Sequence, residues 1–315
     1  MPGSSYRGPL PAADDSLNRL AADLRRHVVA LAGEIGERNV VRRPAAMVRA
    51  AQYIEAEFVA CGLDVERQTY DVLGTTCCNL IAEIPGTTRP AEIVVVGAHY
   101  DAVFGSPAAN DNGTGVAAVL SLAKQFAKRP GARTLRLVAF ANEEPPFFQT
   151  DKMGSLVYAR RCRQRQENIA AMLSIETIGY FSDERGSQKY PPPFGVLYPS
   201  TGNFIAFVSN VRSGSLVRRA VATFRRSEPF PSEGAAVPDA IPGIGFSDHW
   251  SFWQAGYPAI MVTDTAPFRY PHYHEPDDTP DKVDFDKTAR VVRGLRKVIE
   301  ELVGSSSGRQ NGTTQ

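Results

Sequence analysis

The sequence predicts an α/β protein, a three-layer α/β/α sandwich around a mixed, largely parallel central sheet. Two observations carry this. Apolar runs of strand length alternate with segments whose apolar residues recur at helical spacing, the pattern of a sheet with helices on both faces. In addition, His99, Glu143-Glu144, Glu176 and His274 each follow a predicted strand. Open α/β sheets place their sites at the carboxyl ends of strands.

The elements follow in order. A helix opens at Ser16 and carries Leu17, Leu20, Leu24, Val28 and Leu31 on one face. A second covers 45–61, with Gly62 as its stop. Strand-type runs follow at 64–71, 78–84 and 93–98. A helix spans 115–128, a strand 135–141, a helix 154–165 and a strand 171–175. Residues 215–226 read as an amphipathic helix, 259–262 as a strand and 286–302 as a last amphipathic helix. No linker or repeat interrupts them, so residues 15–304 are expected to form one domain. Residues 1–14 and 305–315 are rich in small and polar residues and are expected to be flexible termini.

Composition narrows the function. The chain has 315 residues, 43% of them hydrophobic, and a formal net charge of +1. A chain this long buries a sizeable core without disulfides. The charge gives no electrostatic case for nucleic acid or membrane partners. Arg160-Arg161-Cys162-Arg163-Gln164-Arg165 is basic, but no aromatic residue interleaves it, so it reads as a solvated helix face. The four cysteines, Cys61, Cys77, Cys78 and Cys162, lack metal-ligand spacing and are expected to be free, buried thiols. The first residues lack the charged-then-apolar order of a secretory signal, and no run reaches the ~20 apolar residues of a membrane span. The expected location is cytoplasmic.

The chemistry lies in five short motifs. In His99-Tyr100-Asp101, residues two apart on an extended backbone point the same way. Asp101 can therefore hold the second nitrogen of a metal-bound His99. In Asn110-Asp111-Asn112-Gly113-Thr114-Gly115, the glycines permit a tight turn that places Asp111 beside the strand end of His99. A carboxylate there can bridge two metals, leaving Asn110 or Asn112 to cap the following helix. Glu143-Glu144 end a strand, so one can bind metal while its neighbour serves as a general base. Glu176 directly follows a buried strand, where a carboxylate is either solvated or coordinating. Three of the five histidines, His249, His272 and His274, fall in one C-terminal stretch. One of the pair His272 and His274 is expected to be a ligand, with Asp277 or Asp278 orienting it. His27 sits in a helical pattern and reads as structural.

Taken together, HYD, NDNGTG, NEE, IET, SDHxSF and HxHxPDDTxD resemble the M28 family of zinc exopeptidases, which includes bacterial leucyl aminopeptidases. The resemblance spans nearly the whole chain. It implies the zinc-exopeptidase, phosphorylase/hydrolase-like architecture and two zinc ions per chain. One would be held by His99 and Glu176, the other by Glu144 and His274, with Asp111 bridging. Glu143 would be the general base acting on a water between the metals, and Asp101 would orient His99. This chain carries Glu176 where the family usually has aspartate. The Asp111–Asn112 peptide bond is expected to be cis. His249, Asp248 and Tyr273 are the candidates for substrate or oxyanion contacts. The substrate would be a peptide or aminoacyl compound cleaved at its amino-terminal bond. The Pro/aromatic segment 190–199, with Phe147-Phe148 and the Trp250, Phe252 and Trp253 group, is expected to wall an apolar pocket.

Related readings compete with this one. Glutaminyl-peptide cyclases resemble the same motifs and imply a one-zinc transferase. Aminoacylase-like dizinc enzymes share His-x-Asp and Glu-Glu, but imply a separate dimerisation domain before the last histidine. The interval from Glu176 to His274 lacks the strand and helix alternation such a domain would show. A non-catalytic binding scaffold would have lost ligands or base, and all are present.

Overall fold

The computed structural model describes residues 1–192 and 194–305. The expected flexible tail from residue 306 onward lies outside the described residues. Helix α1 (Asp15–Val28) starts where the Asp14 carboxylate accepts from the Leu17 amide at 2.8 Å. It continues as a wider turn, Val29–Ile35, stopped by Gly36 at φ 76°. Helix α2 (Pro44–Ala60) has proline in its first turn, where a missing N–H costs nothing. Strands β1 (Val65–Val72) and β2 (Thr75–Ile84) form a hairpin through Leu73 and Gly74, both at positive φ as a tight turn requires. Then come β3 (Arg89–His99), α3 (Gly115–Phe126), β4 (Arg133–Phe140), α4 (Gly154–Gln164) and β5 (Asn168–Glu176). The remainder is β6 (Ile205–Asn210), α5 (Gly214–Ser227), β7 (Ser232–Val237), α6 (His249–Gln254), β8 (Ala259–Thr263), α7 (Ala266–Arg269) and α8 (Phe285–Val303).

All eight strands join one sheet in the order β1-β2-β4-β3-β5-β8-β6-β7. The central run β4-β3-β5-β8 is parallel, and antiparallel pairs flank it at β2·β4 and β6·β8. The sheet is therefore mixed and largely parallel, as expected. Alternate residues of each strand feed two cores. One face carries Leu80, Val96, Leu137 and Leu173 against α1, α2, α3, α5 and α8. The other carries Val95, Val138, Phe140 and Met172 against Tyr158 of α4 and Phe252 of α6. The three layers follow from this period-two division.

The elements absent from the sequence reading are β6, β7, α6 and α7. Strand β7 reads Ser-Glu-Gly-Ala-Ala-Val, with one large apolar side chain, and only its neighbours make it a strand. Residues 1–14, expected to be flexible, have partners: Ser5 Oγ accepts from the Ser232 amide at 2.9 Å, and Arg225 donates to the Gly3 carbonyl at 2.8 Å.

Gly97 of β3 lies tight against β4. A β-carbon there would press into the Phe140 ring and lie 3.0 Å from the Val138 carbonyl oxygen. Phe140 is itself locked edge-on between Tyr158 and Phe252. Gly97→Ala is expected to destabilise the fold by about 1–3 kcal/mol through overpacking. Urea unfolding checks this, and a variant as stable as the parent contradicts the packing argument.

Candidate metal centre

His99 is the last residue of β3 and Glu176 the last of β5, so the parallel pairing of these strands sets them side by side. Asp111 enters from the turn before α3. Its backbone amide and that of Asn110 donate to the two oxygens of Asp278, at 3.1 and 2.8 Å. Asp278 is fully buried and also accepts from the Tyr270 hydroxyl. Asn112 caps α3 by accepting from the Gly115 amide at 3.0 Å. The Asp111–Asn112 peptide is cis.

These pieces converge. Asp111 Oδ1 lies 3.3 Å from His99 Nε2, and its Oδ2 lies 3.1 Å from His274 Nε2. Glu176 Oε2 is 3.3 Å from His99 Nε2, and Glu144 Oε2 is 3.2 Å from His274 Nε2. Three groups result, His99–Asp111–Glu176, Asp111–Glu144–His274 and His99–Glu143–Glu144, with the ligand atoms of each within 4.8 Å of one another. Asp111 belongs to the first two and presents one oxygen to each. Among the described residues, every cluster able to hold a metal lies in this one place. His272 packs against Tyr270 instead, so one histidine of the pair joins the cluster.

Glu143 stands apart from its neighbour. Its Oε2 is 3.9 Å from His99 Nε2, longer than the 3.1–3.3 Å contacts of the other carboxylates, and it belongs only to the group that lacks Asp111. Glu143 and Glu144 lie beyond the end of β4, after Asn142 at φ 58°. Their divergence therefore comes from a turn, not from strand alternation as the sequence reading had it. Asp101 holds that turn: its Oδ1 accepts from the Glu143 amide and its Oδ2 from the Glu144 amide, both at 3.0 Å. The Asp101 carboxylate lies 3.5 Å from His99 Nδ1, longer than a hydrogen bond.

The charge state is extreme. Burial pushes Glu143 well above the usual carboxylate range, against the pull of His99. Burial and the charge of Asp111 lift Glu144 to about 7. Burial favours a neutral His99, yet Glu176 and Glu143 outweigh it and raise its pKa well above normal. Asp111 and Glu144 raise His274 to about 10, against its burial. Asp111 is lowered despite burial, because both imidazoles donate to it. All five groups are buried except His274, which is partly exposed. A cluster that draws in protons from every side is short of positive charge. Two buried atoms in it, His99 Nδ1 and Glu144 Oε1, have no hydrogen-bond partner. Donor type, spacing and unmet charge together fit divalent cations.

Sequence reasoning missed several supports. Arg38 is fully buried and donates to the backbone carbonyls of Tyr100, Pro107 and Ala108, fixing both ends of the segment between Asp101 and Asp111. Ser247 donates to Glu176 Oε2 at 2.6 Å. No local pattern marks either residue; only the fold brings them in. Left-handed backbone at Ala108, Asn142, Thr177 and His274 surrounds the site. Such conformations in non-glycine residues concentrate at functional sites.

Of the candidate substrate contacts, Tyr273 stacks on the His274 ring at 3.9 Å. Burial raises its phenol pKa, as do the charges of Asp111, Glu144, Glu176 and Glu143. His249 is fully buried, and its Nε2 makes a 2.6 Å contact with the Ile244 carbonyl. That nitrogen is thereby committed, while Nδ1 is buried without a hydrogen-bond partner. Asp248 is buried without a hydrogen-bond partner, and its burial lifts it to about 7. The expected aromatic wall divides. Tyr190, Phe194 and Tyr198 line an apolar cavity beside Glu176 and Tyr273. Phe252 belongs to the second core, and Trp253 packs edge-on against His249, so neither lines it. Phe148 reaches it only through Phe246.

The profile described as Peptidase family M28 matches residues 79–299. Uncharacterized protein YfbL of Escherichia coli (strain K12) is 38% identical over 256 residues, 78% of each chain. Leucine aminopeptidase 1 of Arthroderma otae is 28% identical over 240 residues, covering 71% of this chain and 57% of that protein. Among solved structures, BSAP, a zinc aminopeptidase from Bacillus subtilis, superposes with a TM-score of 0.72 at 15% identity, covering 92% of this chain and 96% of that one. A glutaminyl cyclase from Fimbriiglobus ruber superposes with a TM-score of 0.68 at 20% identity, covering 95% and 99%. At these identities the superpositions speak to the fold. No helix among the described residues is long and apolar enough to cross a membrane.

Proposed function

Because this chain belongs to peptidase family M28, we propose that it is a dizinc exopeptidase that removes the amino-terminal residue of peptides, with residues 15–304 acting as one domain. The observation that carries this reading is the sharing of Asp111 between two ligand trios, with Glu143 absent from both, grouped only with His99 and Glu144, and farther from the imidazole. His99 and Glu176 would hold one zinc, Glu144 and His274 the other, and Asp111 both. When bound, zinc supplies Lewis-acid polarisation of the scissile carbonyl and activation of water at neutral pH.

The chain's own residues do the rest. Glu143 takes the proton from the attacking water as the C–O bond forms and the carbonyl oxygen gains charge, then hands it to the amine nitrogen as the carbonyl re-forms and the C–N bond breaks. Asp101 keeps Glu143 and Glu144 in place through their amides. Asp278 does the same for Asp111. The Tyr273 phenol, beside His274 and facing the carboxylates, donates to the oxygen that gains charge.

Release of free amino acid from aminoacyl chromogenic substrates by the zinc-loaded protein tests the proposal. Cyclisation of amino-terminal glutamine peptides, with no hydrolysis of others, would replace it with the cyclase reading. Asp278→Ala strips two buried backbone amides of their acceptor. It is expected to lower zinc affinity by about 10–100-fold, the usual effect of losing an outer support of a ligand. Competition with a chromophoric chelator measures this, and unchanged affinity refutes the role.

A further inference from the structure

One buried carboxylate beside the metal-binding turn has no part in the proposed reaction. Asp264 directly follows β8 and is fully buried. Its Oδ2 accepts from three N–H groups: the Tyr180 amide at 2.8 Å, the Gly179 amide at 3.1 Å and the Asn110 side chain at 2.9 Å. Its own backbone amide donates to the Thr177 carbonyl at 2.7 Å. Arg269 is the cation that acts on it, yet that guanidinium donates to the carbonyls of Gly202 and Phe204, at 2.9 Å or less. The hydrogen bonds of Asp264 therefore go to two chain segments. A buried carboxylate is costly unless such donors meet it.

Both segments carry proposed metal ligands. Asn110 precedes Asp111, and residues 177–180 follow Glu176 directly. Asn110 Oδ1 also accepts from the Gly179 amide at 2.9 Å, so the segments are tied to each other as well as to Asp264. Thr177 stands at φ 45°, which costs a β-branched residue energy and persists only where the surroundings impose it. Asp264 supplies that constraint by gripping the Thr177 carbonyl and the amides two and three residues on. Asp278 acts differently. It holds the Asn110 and Asp111 amides, and so reaches both trios through their shared ligand. Asp264 adds the Glu176 segment, which belongs to the His99 trio alone. Zinc donors must stand within about 0.2 Å of their proper distances, so the separation of Asp111 from Glu176 has to be held firmly.

We propose that Asp264 is a positioning residue that fixes Asp111 relative to Glu176 and so sets the affinity of one zinc, the ion of the His99 trio. The proposal rests on the dizinc reading above. Titration of zinc into the metal-free protein, in competition with a chromophoric chelator, tests it. The titration resolves two steps, and Glu176→Gln identifies the one that belongs to the His99 trio. Asp264→Ala is expected to weaken that step about 10–100-fold, the usual effect of losing an outer support, and to leave the other within about threefold. Asp264→Asn keeps an oxygen in the same place and should recover most of the loss. If Asp264→Ala does not fold, Asn110→Ala, which leaves Asp264 its backbone donors, carries the same expectation.

Equal weakening of both steps, as a general loosening of the fold would give, overturns the proposal. So does an unchanged step, or a loss in Asp264→Asn as large as in Asp264→Ala. A parent protein that binds a single zinc refutes the dizinc reading before any variant is made, and the proposal falls with it. Hydrolysis enters none of these readouts. Failure of the exopeptidase reading alone therefore shows separately, as two zinc steps with no peptide cleaved.

Discussion

Glu143→Gln is expected to lower kcat by about 10²–10⁴-fold, the range for a lost general base, while zinc content stays at the parental level. Glu143 differs in position from the three other carboxylates of the cluster. Asp111, Glu144 and Glu176 each place an oxygen 3.1–3.3 Å from an imidazole nitrogen, as ligands of one cation would. Glu143 stands at 3.9 Å and joins only the group that lacks Asp111, His99–Glu143–Glu144. It is nevertheless buried, and burial drives its carboxyl pKa well above normal, against the pull of His99. A carboxylate that need not bind metal but can carry a proton suits transfer from water to the leaving amine. Glutamine keeps the shape and removes the proton affinity. Glu144→Gln should instead lose metal, because that residue completes the His274 trio. Metal analysis together with kcat distinguishes the two variants. A fully active Glu143→Gln, or one that loses zinc as Glu144→Gln does, defeats the assignment of roles.

The site was more legible in the sequence than the fold's periphery. Histidine and carboxylate motifs stand out because few other reasons put such residues at the ends of buried strands. His99 and Glu176 occupy those ends, and the glycine-rich turn carries Asp111 to them. The supports were less visible. Asp101 was read as the partner of His99, yet its two oxygens mainly hold the Glu143 and Glu144 amides. Backbone amides leave no mark on a sequence. Arg38 is silent for the same reason, since its partners are carbonyls brought from distant segments. His249 shows a different limit: its residue type suggests a donor, and only the fold shows that it is fully buried with its Nε2 against the Ile244 carbonyl. Strands β6 and β7 carry too little apolar periodicity to stand alone, and they help line the apolar cavity beside Glu176.

Removal of metal by a strong chelator is expected to abolish activity and to lower the melting temperature by about 10 °C. The buried cluster sets four carboxylates, Asp111, Glu143, Glu144 and Glu176, against two imidazoles. Without a cation the carboxylates repel one another in a medium that already disfavours their charge, and the chain meets this by binding protons. Cations that bind only the folded arrangement stabilise it by RT ln(1 + [L]/Kd), ~4 kcal/mol at a thousandfold excess over Kd. At ~2–4 °C per kcal/mol for a domain approaching this size, the fall follows. Adding zinc back should restore stability and activity together, with the break in the titration at two equivalents per chain. Asp111→Asn removes the charge that both trios share, so its break should come below two and its melting rise should shrink. Full recovery at one equivalent would exclude the dizinc reading and favour a one-metal cyclase on the same scaffold. Recovery of stability at two equivalents without hydrolysis of any peptide would leave the metal centre standing and remove the exopeptidase.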